Sequence, residues 1–490
     1  MMMKDERDVV VVMVPFPAQG HLNQLLHLSR LVSSYHNNIK IYYAGFSTNI
    51  SQVKVRVHGW NPHNNIHFQE FPTPPSYYVI PPPPPSPPSD HHNTFETTAS
   101  KVIASVLEAS LTLREPVSDF LLELSSSKKT RRVVVIYDSL MAWVVQDIVS
   151  IPNAEAYCFH AVSAFATSSI YWQVAQKRLR LPASLGRLIG RFLLPSGAEL
   201  LNQGLLPSLE SSFTQEFLDF VGKQYNKHKS FCSGNLYDTC KVVEGPYLNV
   251  LAKFDRLLRR GNQWAIGPFI PTIKDGSSIN NNCHHECLKW LDKQEENSVI
   301  LVSFGTTGSL SIEQIKELAT GLEKSEQKFI WVVKDALLPE GEQVQIPEEF
   351  EERVEGRGVV LKDWAPQLEI LGHSSTGGFL SHCGWNSCIE SITMGVPLAT
   401  WPLVFDQPRN ALLVTKVLKI GITVKDKERR DELITSIAIE AAVRKLMASH
   451  EGNEMRMRAR KLGEKVRQSV TNGGDSKREM DSFIAHITRN

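Results

Sequence analysis

The sequence predicts an α/β protein of two domains built on parallel sheets, and three observations predict it. The chain has 490 residues, more than one ordinary hydrophobic core accommodates. Short β-branched runs alternate with stretches whose apolar residues recur at helical spacing. Runs such as Val9 to Phe16 are apolar throughout, as strands buried on both faces of a parallel sheet are.

The elements follow in order. Val9 to Phe16 reads as the first buried strand, with Pro17-Ala18-Gln19-Gly20 as its turn. Leu22, Leu25, Leu26 and Leu31 then fall at helical spacing. His21 therefore stands at the first strand-to-helix turn, at the carboxyl edge of a parallel sheet. Such a histidine either caps a surface helix or faces a ligand cleft. Val133 to Ile136 reads as another strand, with Asp138 at its end. Asp138 is either a helix cap or the carboxylate that orients His21; Asp147, further into the next helix, is the competing candidate.

The Pro-rich stretch 72–90 favours polyproline II and reads as a surface loop, with a docking site for an SH3-like partner as the second reading. Tyr77, Tyr78 and Phe95 lie in or near it and are candidates to reach a ligand pocket. Residues 161–263 are the least legible stretch. Asp275 to Asn282 is rich in Gly, Ser and Asn and reads as exposed linker. Cys283, His284, His285 and Cys287 have no second ligand pair at zinc-finger spacing and run into an amphipathic helix. A structural role is expected there over a metal site.

Ser298 to Gly305 opens the second domain as a strand, and Thr306-Thr307-Gly308 makes a small polar loop. Ser311 and Gln314 form a capping box for a helix carrying Ile312, Ile315, Leu318, Ala319 and Leu322. Lys328 to Val333 returns as a strand and completes a βαβ unit.

The segment Trp364 to Gln407 carries the most chemistry. Gly377 to Ser381 reads as a buried strand, and Cys383 to Thr393 as a helix stopped by Gly395 and Pro397. His382, Gly384, Asn386 and Ser387 sit at that junction, where unpaired N–H groups and the helix dipole suit a phosphate. Glu390, one turn deeper than Asn386, suits the two hydroxyls of a ribose. Trp364 offers a flat face for a base. Pro397 to Trp401 reads as a strand, and Asp406 as the N-cap of a helix through Leu418. Asp406 and Gln407 can grip the hydroxyls of a hexose. The set suits a nucleotide joined to a sugar.

Trp364, Ala365, Pro366, Gln367, His382, Cys383, Gly384, Trp385, Asn386, Ser387, Glu390, Pro397, Asp406 and Gln407 stand in a set order and spacing. The segment resembles the 44-residue signature of plant UDP-sugar-dependent glycosyltransferases, which act on small secondary metabolites and hormones. The resemblance covers nearly the whole chain. It implies a GT-B fold: two Rossmann-like domains with parallel sheets facing across an active-site cleft. It implies an acceptor-binding domain at 1–262 and a linker at 263–285, which Trp264 to Phe269 enters. A UDP-sugar-binding domain at 286–460 follows, and a final helix at 461–490 packs back on the first domain.

The resemblance also implies roles. His21, after the Pro-x-x-Gly turn, is the expected general base and Asp138 its partner. Trp364, Ala365 and Gln367 would hold uridine and Glu390 the ribose. Gly305, Thr306, His382, Gly384, Asn386 and Ser387 would face the diphosphate, and Asp406, Gln407 and Trp385 the sugar. Phe16, Asn23, Met141, Trp143 and Phe405 are the expected acceptor contacts. Inversion at the anomeric carbon, no metal and no cofactor beyond the UDP-sugar co-substrate are implied. Gln407 points to UDP-glucose, with UDP-xylose as the alternative donor. Several stretches, among them VVVVMVPFPAQGHLNQLLHLSRL and RRVVVIYDSLMA, look most like the zeatin O-glucosyltransferase branch. A cytokinin side-chain hydroxyl is therefore the expected acceptor, with a flavonoid, terpenoid or phenolic hydroxyl as the second reading.

Composition is typical of a soluble globular protein: 42% hydrophobic and 21% charged residues, with 53 basic and 52 acidic side chains. The net charge of +1 gives no electrostatic case for nucleic acid or an anionic membrane. Seven scattered cysteines and the charged start MMMKDERD point to a reduced cytoplasmic protein, expected to act as a monomer on small molecules. A dinucleotide-dependent oxidoreductase is disfavoured because no G-x-G-x-x-G follows the first strand. A non-catalytic UDP-sugar-binding protein would have little reason to keep His21 and Asp138.

Overall fold

The computed structural model describes residues 8–35, 39–56, 65–75, 77, 103–178, 190, 194–257, 261–269, 285–305, 310–333, 345–362, 364–425 and 432–489. Tyr78, Phe95, most of the Pro-rich stretch, Asp275 to Asn282, Cys283, His284 and the Thr306-Thr307-Gly308 loop lie outside the described residues.

The first sheet contains β1 (Asp8–Val14), β2 (Ile39–Phe46), β3 (Ile66–Phe71), β4 (Thr130–Asp138), β5 (Ala154–His160), β6 (Cys232–Tyr237) and β7 (Asn262–Ala265). They pair in parallel in the order β3-β2-β1-β4-β5-β6-β7. Side chains of β1 are buried on both faces: Val9, Val11 and Met13 in one core layer, Val10, Val12 and Val14 in the other. The strand stops at Val14 rather than Phe16, because Pro15 has no N–H for the ladder. β7 extends the sheet past residue 262.

The second sheet contains β8 (Val299–Ser303), β9 (Lys328–Val333), β10 (Gly358–Lys362), β11 (Thr376–Ser381), β12 (Leu398–Thr400) and β13 (Gly421–Thr423). Its order is β10-β9-β8-β11-β12-β13, again parallel. Each sheet thus winds outward from its first strand and then reverses. In open α/β sheets the crevice at that reversal receives ligands, outside the carboxyl ends of the strands. Here the reversals fall between β1 and β4 and between β8 and β11.

Local chemistry explains several boundaries. Ser311 caps the helix Ile312–Ser325 by accepting the Gln314 N–H at 3.2 Å. The Gln314 side chain does not reciprocate; it exchanges two 2.9 Å hydrogen bonds with the backbone of Ile434, so only half of the expected capping box forms. The helix after Asp406 is α-helical over Gln407–Leu412 and then widens to a π turn at Leu413–Val417. The charged C-terminal segment forms two helices, His450–Ser469 and Asp475–Thr488, broken near Gly473, whose φ of +84° suits glycine.

Helix Asp475–Thr488 returns to the first sheet. Met480, Phe483, Ile484 and Ile487 form one apolar face that packs with Tyr157 and Trp264. Arg131 donates to the carbonyls of Thr488 and Arg489, and Arg132 to that of Ile487, satisfying the helix C-terminus.

Candidate active site

The strand ends at the first reversal bring His21 and Asp138 together. Val14 pairs with Tyr137 across β1 and β4, so the residues beyond them emerge side by side. His21 Nδ1 lies 2.7 Å from Asp138 Oδ2. A carboxylate only accepts, so Nδ1 carries the proton and Nε2 is left for another partner. Asp138 is fully buried, and its Oδ1 accepts the Leu140 N–H at 2.9 Å. The His21 side chain keeps 22% exposure, with Phe16 edge-on at 5.3 Å. Burial alone would lower the His21 pKa. The Asp138 carboxylate, through its charge and hydrogen bond, and the charge of Asp406 outweigh it, so the net shift is upward from 6.5. Asp147 is held elsewhere: Arg114 Nε and Nη2 donate to its two oxygens at 2.9 Å.

At the second reversal, β8 delivers Gly305 and β11 delivers His382. Gly305 has φ +77°, and a Cβ there would stand 2.6 Å from His382 Nε2. A Cβ on Gly384 would meet the same atom at 2.6 Å. Both glycines are therefore needed for the imidazole to sit between them. Cys383 turns the chain with φ +64°, and helix Trp385–Met394 starts at Gly384 with no side-chain cap. Its first N–H groups thus present the electropositive end that an anion needs. Thr306, expected beside Gly305, lies outside the described residues.

One wing of this junction holds Trp364, which is 63% exposed and has His285 edge-on at 6.1 Å. Gln367 Nε2 donates to Glu390 Oε2 at 2.7 Å and to Ser387 Oγ at 3.2 Å, and Ala365 O accepts the Gln367 N–H at 2.8 Å. Burial pushes the Glu390 pKa up to about 7; the Gln367 hydrogen bond opposes the shift and the charge of Glu369 adds to it. On the other wing, Gln407 Oε1 accepts the N–H groups of Leu403 and Val404 at 2.8 and 3.0 Å. That orientation leaves the Gln407 amide nitrogen as its remaining polar end. Asp406 Oδ2 accepts from Asn410 Nδ2 at 2.7 Å, and the same nitrogen donates to Cys383 O at 2.9 Å. Burial raises the Asp406 pKa, against the Asn410 hydrogen bond.

Several of these residues join the two halves of the chain. Asn386 Nδ2 donates to Gly20 O at 3.0 Å, and its Oδ1 accepts from Gln24, one turn beyond His21. Trp385 is 3% exposed, and its indole N–H donates to Asp238 O at 2.8 Å. Its side chain is thus a strut between the halves, not a group open to a sugar. Ser163 Oγ donates to Asn410 Oδ1 at 2.7 Å.

The expected acceptor contacts separate. Phe16 and Phe405 stand beside His21 and Asp406. Asn23 accepts from Arg56. Met141 is fully buried in the first-sheet core. Trp143 has Arg114 and Lys227 over its ring at 5.4 and 4.9 Å. The sequence reading missed Gln24, Ser163, Arg409 and Asn410. Two had a local signal: Gln24 and Asn410 follow His21 and Asp406 by one helical turn. His285 caps helix Glu286–Leu291 by accepting the Cys287 N–H at 3.3 Å, a structural use. Among the described residues, no group of three or more His, Cys, Asp or Glu could hold a metal ion, and no helix is long and apolar enough to cross a membrane.

Known proteins match the chain over nearly its whole length. Residues 7–271 match the model for a glycosyltransferase N-terminal domain, and residues 233–463 match that for UDP-glucoronosyl and UDP-glucosyl transferases. The chain is 48% identical to a zeatin O-glucosyltransferase from Phaseolus lunatus, over 99% of this chain and 98% of that protein. It is also 48% identical to a zeatin O-xylosyltransferase from Phaseolus vulgaris, over 100% of both. A solved transferase from Siraitia grosvenorii in complex with UDP superposes with a TM-score of 0.75 at 25% identity, covering 98% of this chain and 100% of that one.

Proposed function

Because this chain belongs to the plant UDP-dependent glycosyltransferase family and is a UDP-glycosyltransferase, we propose that it moves glucose from UDP-glucose to the side-chain hydroxyl of a zeatin-type cytokinin. The observation that carries the chemistry is the 2.7 Å contact between His21 and Asp138, with Asp406 of the other half near enough to raise the charge preference of His21. A proton acceptor in one half thus lies within electrostatic reach of a carboxylate in the other.

In this reading the acceptor hydroxyl lies against His21 Nε2. The imidazole takes its proton as the oxygen attacks the anomeric carbon, and Asp138 stabilises the cation that forms. The attacking oxygen bonds to the carbon as the bond to the diphosphate breaks on the opposite face, so an α-linked donor gives a β-glycoside. His382, Ser387, the amides after Gly384 and the backbone at Gly305 take up charge on the departing diphosphate. Asn386 exchanges the Gly20 carbonyl for a phosphate oxygen. Trp364 stacks on uracil, Ala365 and Gln367 hold the uridine, and Glu390 accepts from the ribose hydroxyls. Asp406 accepts from the sugar, and Gln407 donates to it.

A second donor is favoured by one finding: the xylosyltransferase relative matches as well as the glucosyltransferase. The test offers purified protein UDP-glucose and UDP-xylose in parallel, against trans-zeatin, cis-zeatin and dihydrozeatin, with a flavonol and a terpenoid alcohol beside them. Mass spectrometry reads the products. A hexose on zeatin is expected. A pentose instead would change the donor, and sugar on the flavonol or terpenoid alone would overturn the cytokinin assignment.

A further inference from the structure

Arg409 follows Gln407 by two residues and is fully buried. Its Nε donates to Ser169 Oγ at 2.9 Å and its Nη1 to Ser212 Oγ at 3.1 Å. Its Nη2 donates to Gln173 Oε1 at 2.8 Å and Pro207 O at 3.0 Å. All four acceptors belong to the first half of the chain, and none is a carboxylate. Burying a guanidinium without a hydrogen-bonded anion is unfavourable. Burial lowers its pKa to about 10, which the charge of Asp406 only partly offsets. A neutral apolar side chain would join the two surfaces at less cost, so adhesion alone does not explain it. A planar fork offers direction: it fixes helix Ala164–Arg178 and the segment 207–213 at once.

What the fork holds is aromatic. The guanidinium lies over Phe213, 5.4 Å from the ring centroid. Phe213 stacks on Phe217 at 5.4 Å with 6° between the planes, and Phe217 lies 5.1 Å from Phe405. Phe405 precedes Asp406 and adopts φ +58°, an unfavourable conformation for a bulky residue. Its N–H donates to Ser212 O at 3.1 Å, so the same serine that receives Arg409 also holds the strained turn. Phe217 and Phe405 keep partly exposed edges.

Resting on the glycosyltransferase reading above, we propose that Arg409 is a positioning residue for the acceptor. It sets the Phe213–Phe217 stack against Phe405, and these rings form an apolar wall beside Asp406 that takes the flat ring system of a planar aromatic acceptor. Arg409 itself touches no substrate.

The test compares wild type with Arg409→Lys, Ser212→Ala, Phe217→Leu and Phe217→Tyr. Each is measured for kcat and KM with trans-zeatin, or with the flavonol where zeatin takes no sugar, for UDP affinity without acceptor, and for Tm; activity on the terpenoid alcohol alone overturns the inference. Arg409→Lys, Ser212→Ala and Phe217→Leu should each raise acceptor KM, the first and last about tenfold or more, with UDP affinity and kcat within about threefold. Phe217→Tyr should restore the wild-type KM. Should Arg409→Lys not fold, Ser212→Ala and Phe217→Leu carry the test. Unchanged acceptor KM in those two, or a UDP affinity that falls as far as the acceptor's, overturns the proposal. A wild type that transfers no sugar to any acceptor overturns the enzymatic reading and this inference with it. An active wild type with unchanged KM in the variants overturns the inference alone.

Discussion

Asp138 divides its two carboxylate oxygens between His21 Nδ1, at 2.7 Å, and the N–H of Leu140, at 2.9 Å. The second bond fixes the carboxylate, and the fixed carboxylate fixes the ring. Asp138→Asn leaves the shape but can present its amide nitrogen to Nδ1 and favour the wrong tautomer. Its kcat should fall about 10²- to 10⁴-fold while UDP affinity stays near wild type. Initial rates and UDP titration check this; a kcat within about threefold of wild type would sink the dyad.

The same pair makes a pH prediction. The base must be neutral, and its pKa is raised, so kcat/KM should fall on the acid side from a pH above 6.5. Asp138→Asn removes the charge that raises it. The acid limb should then move to lower pH even as the rate drops. A limb that stays in place in a pH–rate profile would assign it to another group.

Glu390 titrates in a different way. Burial holds its pKa up at about 7, and only the carboxylate accepts freely from two ribose hydroxyls. Affinity for uridine, which has no phosphate of its own to titrate, should weaken as pH falls through that value. Glu390→Gln should bind uridine about tenfold more weakly and flatten the profile. Deoxyuridine should lose less. Calorimetric titrations decide it, and a variant whose pH dependence matches wild type refutes the ribose role.

Gln407 can be tested without disturbing its turn. Glutamate would still accept the N–H groups of Leu403 and Val404, but would replace the remaining donor with an acceptor. Gln407→Glu should keep Tm within a few degrees while kcat/KM for the UDP-sugar falls about tenfold or more. Equal kcat/KM for both proteins would show that the amide nitrogen does not read the sugar.

Gly305→Ala should be more damaging than its size suggests. The added Cβ would stand 2.6 Å from His382, and φ is +77°. Displacing His382 should weaken UDP binding about tenfold or more, with a conformational cost of about 1 kcal/mol in stability. An unchanged UDP affinity would place His382 outside the diphosphate site.

Local pattern revealed what local pattern encodes. The valine run of β1, the turn before His21, and the Gly384 junction each carry their signal within a few residues. Contacts across the cleft do not. Arg409 reads as one more polar residue on a short helix, yet its partners Ser169 and Ser212 lie some 200 residues upstream. Trp385 offered a ring to a sugar on paper, whereas Asp238 claims its N–H. Met141 and Trp143 follow Asp138 closely, but spacing alone could not tell the core from the cleft. Within 161–263, helix Ala164–Arg178 buries every residue from Ala164 to Ser169, which blurs its period, and helix Lys241–Leu257 is kinked, with Pro246 inside it and non-helical torsions at Glu244.

The dyad is rooted in the first sheet, at the end of β4 and in the first turn of the helix after β1, whereas the aromatic wall joins the Phe405 turn to Phe213 and the start of helix Gln215–His228, pinned by one arginine. In the proposed reading, proton transfer and acceptor choice are therefore anchored in separate parts of the scaffold. Loops around the wall can drift from one small molecule to another over evolutionary time while the base keeps its place, and an engineer who regrafts them need not rebuild the chemistry.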